Sequence, residues 1–140
     1  MCIRDSFDIY RRTCPVYQEE HSDIRRVEPY VYAQTVAARA SYDEGAARNS
    51  WLTGTAAWTF VNISQYILGV KPTPAGLRID PCLPGALEEY SVRRRYRGAA
   101  YHIHVVQTGT YSLRVDGENV AGNLIPMKDE KKKYHVEVTV

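Results

Sequence analysis

The spacing of apolar residues along this chain changes once, near residues 69 to 74. Before that point the intervals are helical. Phe7 to Cys14 is a short amphipathic stretch that Pro15 stops. Pro29 suits the first turn of a helix, and Tyr30-Val31-Tyr32-Ala33-Gln34-Thr35-Val36-Ala37-Ala38 follows without a breaker, which predicts a second helix. Ser41 to Ser50 is polar and loop-like. The clearest helix carries Ala57, Phe60, Val61, Ile63, Ile67 and Leu68 on one face. Gly69 is placed to cap it, with Pro72 and Pro74 beyond.

After Pro74 the period becomes two. Leu77 to Asp80 is short and extended. Tyr90, Val92 and Tyr96 mark a basic strand. Tyr101, Ile103 and Val105 mark the next, and Tyr111, Leu113 and Val115 a third. Asp116-Gly117 is a hairpin signal. Tyr134, Val136, Val138 and Val140 close the series. Strict alternation means one buried and one wet face, which predicts antiparallel strands assembled into a sandwich. Three helices cannot close a compact helical domain before it, and each has an apolar face to bury.

Composition narrows the class. A chain of 140 residues with 44% hydrophobic and 24% charged residues is globular rather than disordered. A net charge of +2 is too small to argue for nucleic acid. The runs Arg93-Arg94-Arg95 and Lys131-Lys132-Lys133 read as a solvated strand face and an exposed turn. Eleven tyrosines against two phenylalanines suit a sugar-binding protein without proving one. Cys2, Cys14 and Cys82 are too few and too irregular for a disulfide framework or a zinc site. They read as reduced thiols of a cytoplasmic protein. No run approaches the roughly 20 apolar residues of a membrane span, and no secretory signal follows Arg4. The opening hexamer Met1-Cys2-Ile3-Arg4-Asp5-Ser6 is expected to be a non-native leader.

Candidate chemistry centres on Asn49-Ser50-Trp51-Leu52-Thr53-Gly54-Thr55-Ala56-Ala57-Trp58. A helix start needs one capping hydroxyl, and this one has Ser50, Thr53 and Thr55. It also has a glycine, which lowers helix propensity by roughly 1 kcal/mol relative to alanine. Taken alone, the stretch fits either ordinary capping with close packing or a close approach of something to the backbone. Trp51 and Trp58 read as helix-packing aromatics. His102 and His104 share a strand face, but two ligands without a third are weak support for a metal. Glu28 is expected to cap the helix or pair with Arg25 or Arg26. Glu19, Glu20, Asp23 and His21 read as surface groups.

Four motifs in series carry a resemblance. Arg25-Arg26-Val27-Glu28-Pro29-Tyr30-Val31-Tyr32-Ala33-Gln34, the stretch Asn49 to Trp58, Gln65-Tyr66-Ile67-Leu68-Gly69-Val70-Lys71-Pro72 and Gly76-Leu77-Arg78-Ile79-Asp80-Pro81-Cys82-Leu83-Pro84 together resemble the C-terminal part of the cellobiose phosphorylase group, glycoside hydrolase family 94. The resemblance implies a mixed α and β fold, with the last helices of an (α/α)6 catalytic barrel over residues 7–73 and a C-terminal antiparallel β-sandwich over 74–140. It implies an enzyme that cleaves β-glucosidic bonds of cellobiose-like sugars with phosphate, inverting the anomeric centre to give α-glucose 1-phosphate. Inorganic phosphate is then the co-substrate, with no metal or organic cofactor. Thr53 and Gly54 match the family's phosphate contact, and Gln34 matches a glutamine beside the donor sugar. The catalytic acid is expected upstream, so no acidic residue here takes that role and the fragment alone is expected to be inactive. No nucleic-acid or membrane partner is implied, and family members are commonly homodimers. The stretch from Ala38 to Asp43 departs from the family pattern, which puts any substrate contact there in doubt. Two alternatives stay open: a related barrel hydrolase, which would need a second carboxylate, and a carbohydrate-binding sandwich with a helical preface.

Overall fold

The computed structural model describes residues 3–127 and 133–140. Cys2, Lys131 and Lys132 lie outside these, so the expectations for them are not addressed. The chain forms two compact units, Met1–Asn62 and Ile63–Val140.

The first unit opens with helix α1 (Ile3–Thr13), which ends before Pro15 as expected and passes through the last four residues of the expected leader. A 3₁₀ run (Pro15–His21) leads into the single-turn helix α2 (Ser22–Arg25), closed by Arg26 in the left-handed region. The second predicted helix does not form. Residues 33–36 are instead strand β1 (Ala33–Val36), paired antiparallel with β2 (Ala47–Ser50) inside the stretch read as loop. Val31, Tyr32, Thr35 and Val36 are β-branched or aromatic and favour a pleated surface over a helix. The absence of a breaker allowed a helix without requiring one. Helix α3 (Thr55–Val61) then gives way to a π-helical turn (Asn62–Ile67), in which Leu68 N–H reaches back to Ile63 O at 2.8 Å. The third predicted helix is therefore present, but wound more loosely over its second half.

The second unit is a β-sandwich. Its smaller sheet has the order β3 (Val70–Thr73), β4 (Gly76–Ile79), β9 (Leu124–Pro126). The strands of this unit thus begin at Val70, and residues 74 and 75 form the β3–β4 turn. Gly69 adopts φ +65, and a Cβ there would lie 2.2 Å from the Asp80 carbonyl, so conformation and packing both demand glycine. The larger sheet contains β5 (Glu89–Tyr96), β6 (Ala99–Val106), β7 (Ser112–Val115), β8 (Glu118–Asn119) and β10 (Lys133–Thr139), in the order β5-β6-β10-β7-β8. Asp116 and Gly117 have φ of 53 and 88 and join β7 to β8 as the hairpin signal predicts. One pairing departs from expectation: β10 runs parallel to β6, from Lys133 beside Ala100 to Thr139 beside Val106. Alternation reports a single buried face and is silent on strand direction. The chain crosses to the small sheet at β9 before it returns, which lets β10 enter alongside β6.

The two sheets share one core. Val70, Leu77, Ile79 and Ile125 of the smaller sheet pack in one cluster with Tyr101, Ile103, Val105, Leu113, Val136 and Val138 of the larger. Each fully buried aliphatic side chain there contributes about 1.5–3 kcal/mol. Tyr101 and Tyr134 are ladder neighbours whose rings stack 4.8 Å apart. Three further tyrosines from the larger sheet and its approaches donate to backbone carbonyls around the smaller one. Tyr90 bonds to Leu68 O at 2.7 Å, Tyr96 to Thr73 O at 2.6 Å and Tyr111 to Ile79 O at 2.8 Å. Much of the tyrosine excess thus serves to hold the sandwich together.

Candidate functional site

The sequence candidates Gln34, Thr53 and Gly54 all belong to the first unit. Gln34 lies on β1 between the paired positions Ala33–Ser50 and Thr35–Arg48, opposite Asn49. The Asn49 side-chain amide donates from Nδ2 to Gln34 Oε1 at 2.9 Å. Gln34 is exposed, and its partner Asn49 is a residue of the neighbouring strand. The bond ties Gln34 to a position four residues ahead of Thr53.

Between them the backbone is unusual. Asn49 and Trp51 have φ of 54 and 70, in the left-handed region that asparagine tolerates and tryptophan rarely adopts. Trp51 is held there from three sides. Its backbone N–H donates to Tyr32 O at 3.3 Å, its indole N–H donates to Glu28 Oε1 at 3.2 Å, and Tyr30 meets its ring edge-on at 6.2 Å. Glu28 thus takes up the indole rather than Arg25, whose guanidinium donates to Val31 O. Hydrogen bonds from its own backbone N–H and from Trp51 hold the Glu28 carboxyl below its ordinary value. Trp51 and Trp58 are 66% and 75% exposed, so neither is the packed core aromatic expected from the sequence.

Thr53, Gly54 and Thr55 then enter α3. Thr53 Oγ1 accepts from the backbone N–H of Thr55 at 3.2 Å and lies 2.8 Å from Thr55 Oγ1. The two hydroxyls own two protons and share one between them, which leaves the second for an outside acceptor. Gly54 has a helical φ of −75. A Cβ on it would lie 3.5 Å from Trp58 Cδ1, an ordinary contact. Among the described residues, neither conformation nor packing requires glycine at this position. Two surface hollows adjoin Thr55. One of 520 Å³ is bordered by Arg12, His21, Arg25 and Glu44, and one of 260 Å³ by Tyr10, Trp58 and Asn62.

Within the second unit, His102 neighbours His135 across the β6–β10 ladder, with ring centroids 5.6 Å apart, while His104 lies 3.6 Å from Glu89. No group of three or more His, Cys, Asp or Glu among the described residues is placed to hold a metal ion. Cys14 and Cys82 are not joined in a disulfide. No helix among the described residues is long and apolar enough to cross a membrane.

The comparisons with known proteins bear on this geometry. Residues 4–69 match the catalytic domain of the glycosyl hydrolase 94 superfamily, and residues 71–121 match the C-terminal domain of glycosyl hydrolase family 65. The chain belongs to the glycosyl hydrolase 94 group. It is 38% identical over 117 residues to an N,N'-diacetylchitobiose phosphorylase of Vibrio proteolyticus, covering 80% of this chain and 15% of the relative. It is 34% identical over 139 residues to a solabiose phosphorylase of Paenibacillus borealis, covering 96% and 18%. A 3-O-beta-D-glucopyranosyl-beta-D-glucuronide phosphorylase of the same organism is 40% identical over 91 residues, covering 61% and 12%. The chain therefore spans less than a fifth of these relatives. Their names cover several different disaccharides and do not single out cellobiose.

The sequence reading missed Asn49. The available signal was an asparagine at the edge of a polar stretch, the residue type most at ease in the left-handed region after glycine. It also gave no role to Thr55, whose hydroxyl is bonded to that of Thr53.

Proposed function

We propose that this chain is the C-terminal part of an inverting glycoside phosphorylase acting on a β-linked gluco-disaccharide or short oligosaccharide. The observation that carries the reading is Gly54, a glycine that neither its own conformation nor the described residues around it require, next to a hydroxyl pair with a proton to spare. A phosphate oxygen that approaches the backbone would make that requirement. The matched relatives support the same chemistry, being phosphorylases by name.

In this reading Thr53 and Gly54 hold inorganic phosphate on the face of the anomeric carbon opposite the leaving group. A phosphate oxygen forms the new bond to that carbon as the glycosidic C–O bond breaks. A carboxylic acid outside this chain delivers its proton to the departing oxygen. The products are α-glucose 1-phosphate and the acceptor sugar. Inverting hydrolases use a second carboxylate to activate water. Phosphate is already anionic at neutral pH, so hydroxyl and backbone donors suffice here. Gln34 contacts the donor sugar. No organic cofactor or metal takes part, and the parent works in the cytoplasm.

The test is the full-length protein, read upstream of Phe7 and assayed on cellobiose and related β-glucosides with and without phosphate. Phosphate-dependent release of glucose 1-phosphate is expected, and Thr53→Val should raise the KM for phosphate by at least tenfold. Release of free glucose without phosphate would identify a hydrolase and return Thr53 to a helix cap.

A further inference from the structure

We propose that the open edge of β5 is an interface between two copies of this chain, which pair antiparallel about a two-fold axis at Ser91. Among the described residues the sandwich has four edge strands, β3, β5, β8 and β9. Three of them are blunted. β8 has two residues, β9 has three and ends in Pro126, and β3 carries Pro72. β5 is eight residues long, contains no proline and keeps unbroken register with β6 from Glu89 to Tyr96. Its backbone groups alternate in direction. Gln107 N–H donates to Glu88 O, so the even-numbered positions bond toward β6, while residues 89, 91, 93 and 95 turn their N–H and C=O groups to the open edge.

The charges on this edge select the partner. An edge that is merely shielded carries charges that repel any newcomer. β5 is asymmetric instead: Glu88 and Glu89 lead into it, and Arg93, Arg94 and Arg95 lie toward its far end. A parallel copy would set acid on acid and arginine on arginine. An antiparallel copy centred on Ser91 sets Glu88 opposite Arg94 and Glu89 opposite Arg93 on both sides of the axis, with Tyr90 against Val92. Each such pair shares a face of the sheet, and opposite charges across a ladder are stabilising. Centred on Val92, only Glu89 would find an arginine, and Arg94 would meet Tyr90. Centred on Arg93, that arginine would meet itself. Arg94 favours the first register. It lies half-buried on the core-facing side of β5, and its Nε is buried with no hydrogen-bond partner among the described residues. An unpaired buried N–H is costly, and Glu88 of the second copy gives that guanidinium an acceptor. On the other face, His104 lies 3.6 Å from one Glu89 oxygen, which leaves the second oxygen for Arg93.

A two-fold interface uses the same residues twice, so charge exchange tests it in the full-length protein. One variant is Glu88→Lys/Glu89→Lys, the other Arg93→Glu/Arg94→Glu. Each sets like charges opposite one another on both sides of the axis. The dissociation constant of the contact, read by sedimentation velocity over a dilution series, should rise at least about tenfold in each. The two variants are complementary to one another at every pair, so association should return when they are mixed. Full-length protein that does not associate, variants that associate as well as the parent, or a loss that mixing fails to restore would each overturn the proposal.

A milder substitution keeps the test independent of folding. Ser91 is exposed and sits on the axis, where the two Cα atoms of a hydrogen-bonded pair are about 5.5 Å apart, within the span of a disulfide. In Ser91→Cys, dioxygen with a copper catalyst should take two electrons and two protons from the facing thiols and join the copies covalently. Glu118→Cys, on the opposite edge of the same sheet, should cross-link no more than the unsubstituted protein. Equal cross-linking at the two positions, or none in Ser91→Cys, would overturn the pairing.

Discussion

At the scale of single residues, the informative feature is a mismatch between what a residue is and what its surroundings ask of it. Gly69 shows no mismatch, because φ +65 and a backbone carbonyl 2.2 Å from any Cβ explain it in full. Gly54 is the opposite case, with a helical φ and room for a methyl group. The two positions should respond differently to the same change. Gly69→Ala should be strongly destabilising. Gly54→Ala should alter stability by no more than about 1 kcal/mol in either direction. In the full-length enzyme, Gly54→Ala should nevertheless weaken phosphate use by tenfold or more, read as KM for phosphate. A Gly54→Ala enzyme with normal phosphate KM would show that nothing approaches the backbone there. Thr53 and Gly54 were legible as candidates because hydroxyls and a glycine at one helix start are more than capping needs. Asn49 was not, because its contribution depends on a backbone torsion and a cross-strand partner fifteen residues away, and neither leaves a trace in local composition.

At the scale of elements, the β half of the chain was far more readable than the α half. From Leu77 onward, alternation located β4, β5, β6, β7 and β10, since a half-buried strand imposes a period of two on its own sequence. It could not reveal that β10 lies parallel to β6, because burial depends on the face and not on the direction of the chain. In the first unit, Tyr30 to Ala38 carries no breaker and its pattern suits a helix, yet Ala33–Val36 within it extends against Ala47–Ser50. A partner some fifteen residues away decided the outcome over local pattern.

The tyrosines between the two sheets make a prediction at this same scale. Burial pushes the Tyr111 hydroxyl up to about 12, with Asp80 adding to the shift, and burial holds Tyr90 well above the ordinary tyrosine value. Both shifts favour the protonated form in the folded state. Above about pH 10 the unfolded chain releases these protons first and binds fewer than the folded chain does. The slope of stability against pH is then negative, so stability present at neutral pH falls as pH rises through about 10 toward 12. Urea midpoints at half-unit steps from about pH 8 to about pH 11.5 would trace the fall. The variant Tyr90→Phe/Tyr111→Phe should start less stable and lose less over that range. An equally steep fall in the variant would assign the effect to other groups.

At the scale of the whole molecule, buried and exposed apolar side chains are divided unequally between the two units. The shared core cluster lies entirely between Val70 and Val138. Among the described residues, the buried apolar ones of the first unit are Val31, Ala46 and Ala47, together with Pro15, while Tyr30, Trp51, Leu52, Trp58 and Phe60 are each more than 60% exposed. A unit that buries so little apolar surface has little to set against its chain entropy, and a surface of that kind is a liability in isolation. The unit matching a catalytic domain is thus the one that exposes its apolar side chains, in a chain spanning under a fifth of its relatives. When the 140-residue chain is expressed as it stands, brief proteolysis should cut first within residues 7–62 and leave a resistant product containing residues 63–140. Near-ultraviolet circular dichroism should retain tyrosine signals from the sandwich, and a hydrophobic dye should bind until the first unit is removed. Equal resistance of both units, with no dye binding, would show that residues 7–62 reach a stable fold with the apolar side chains they already bury.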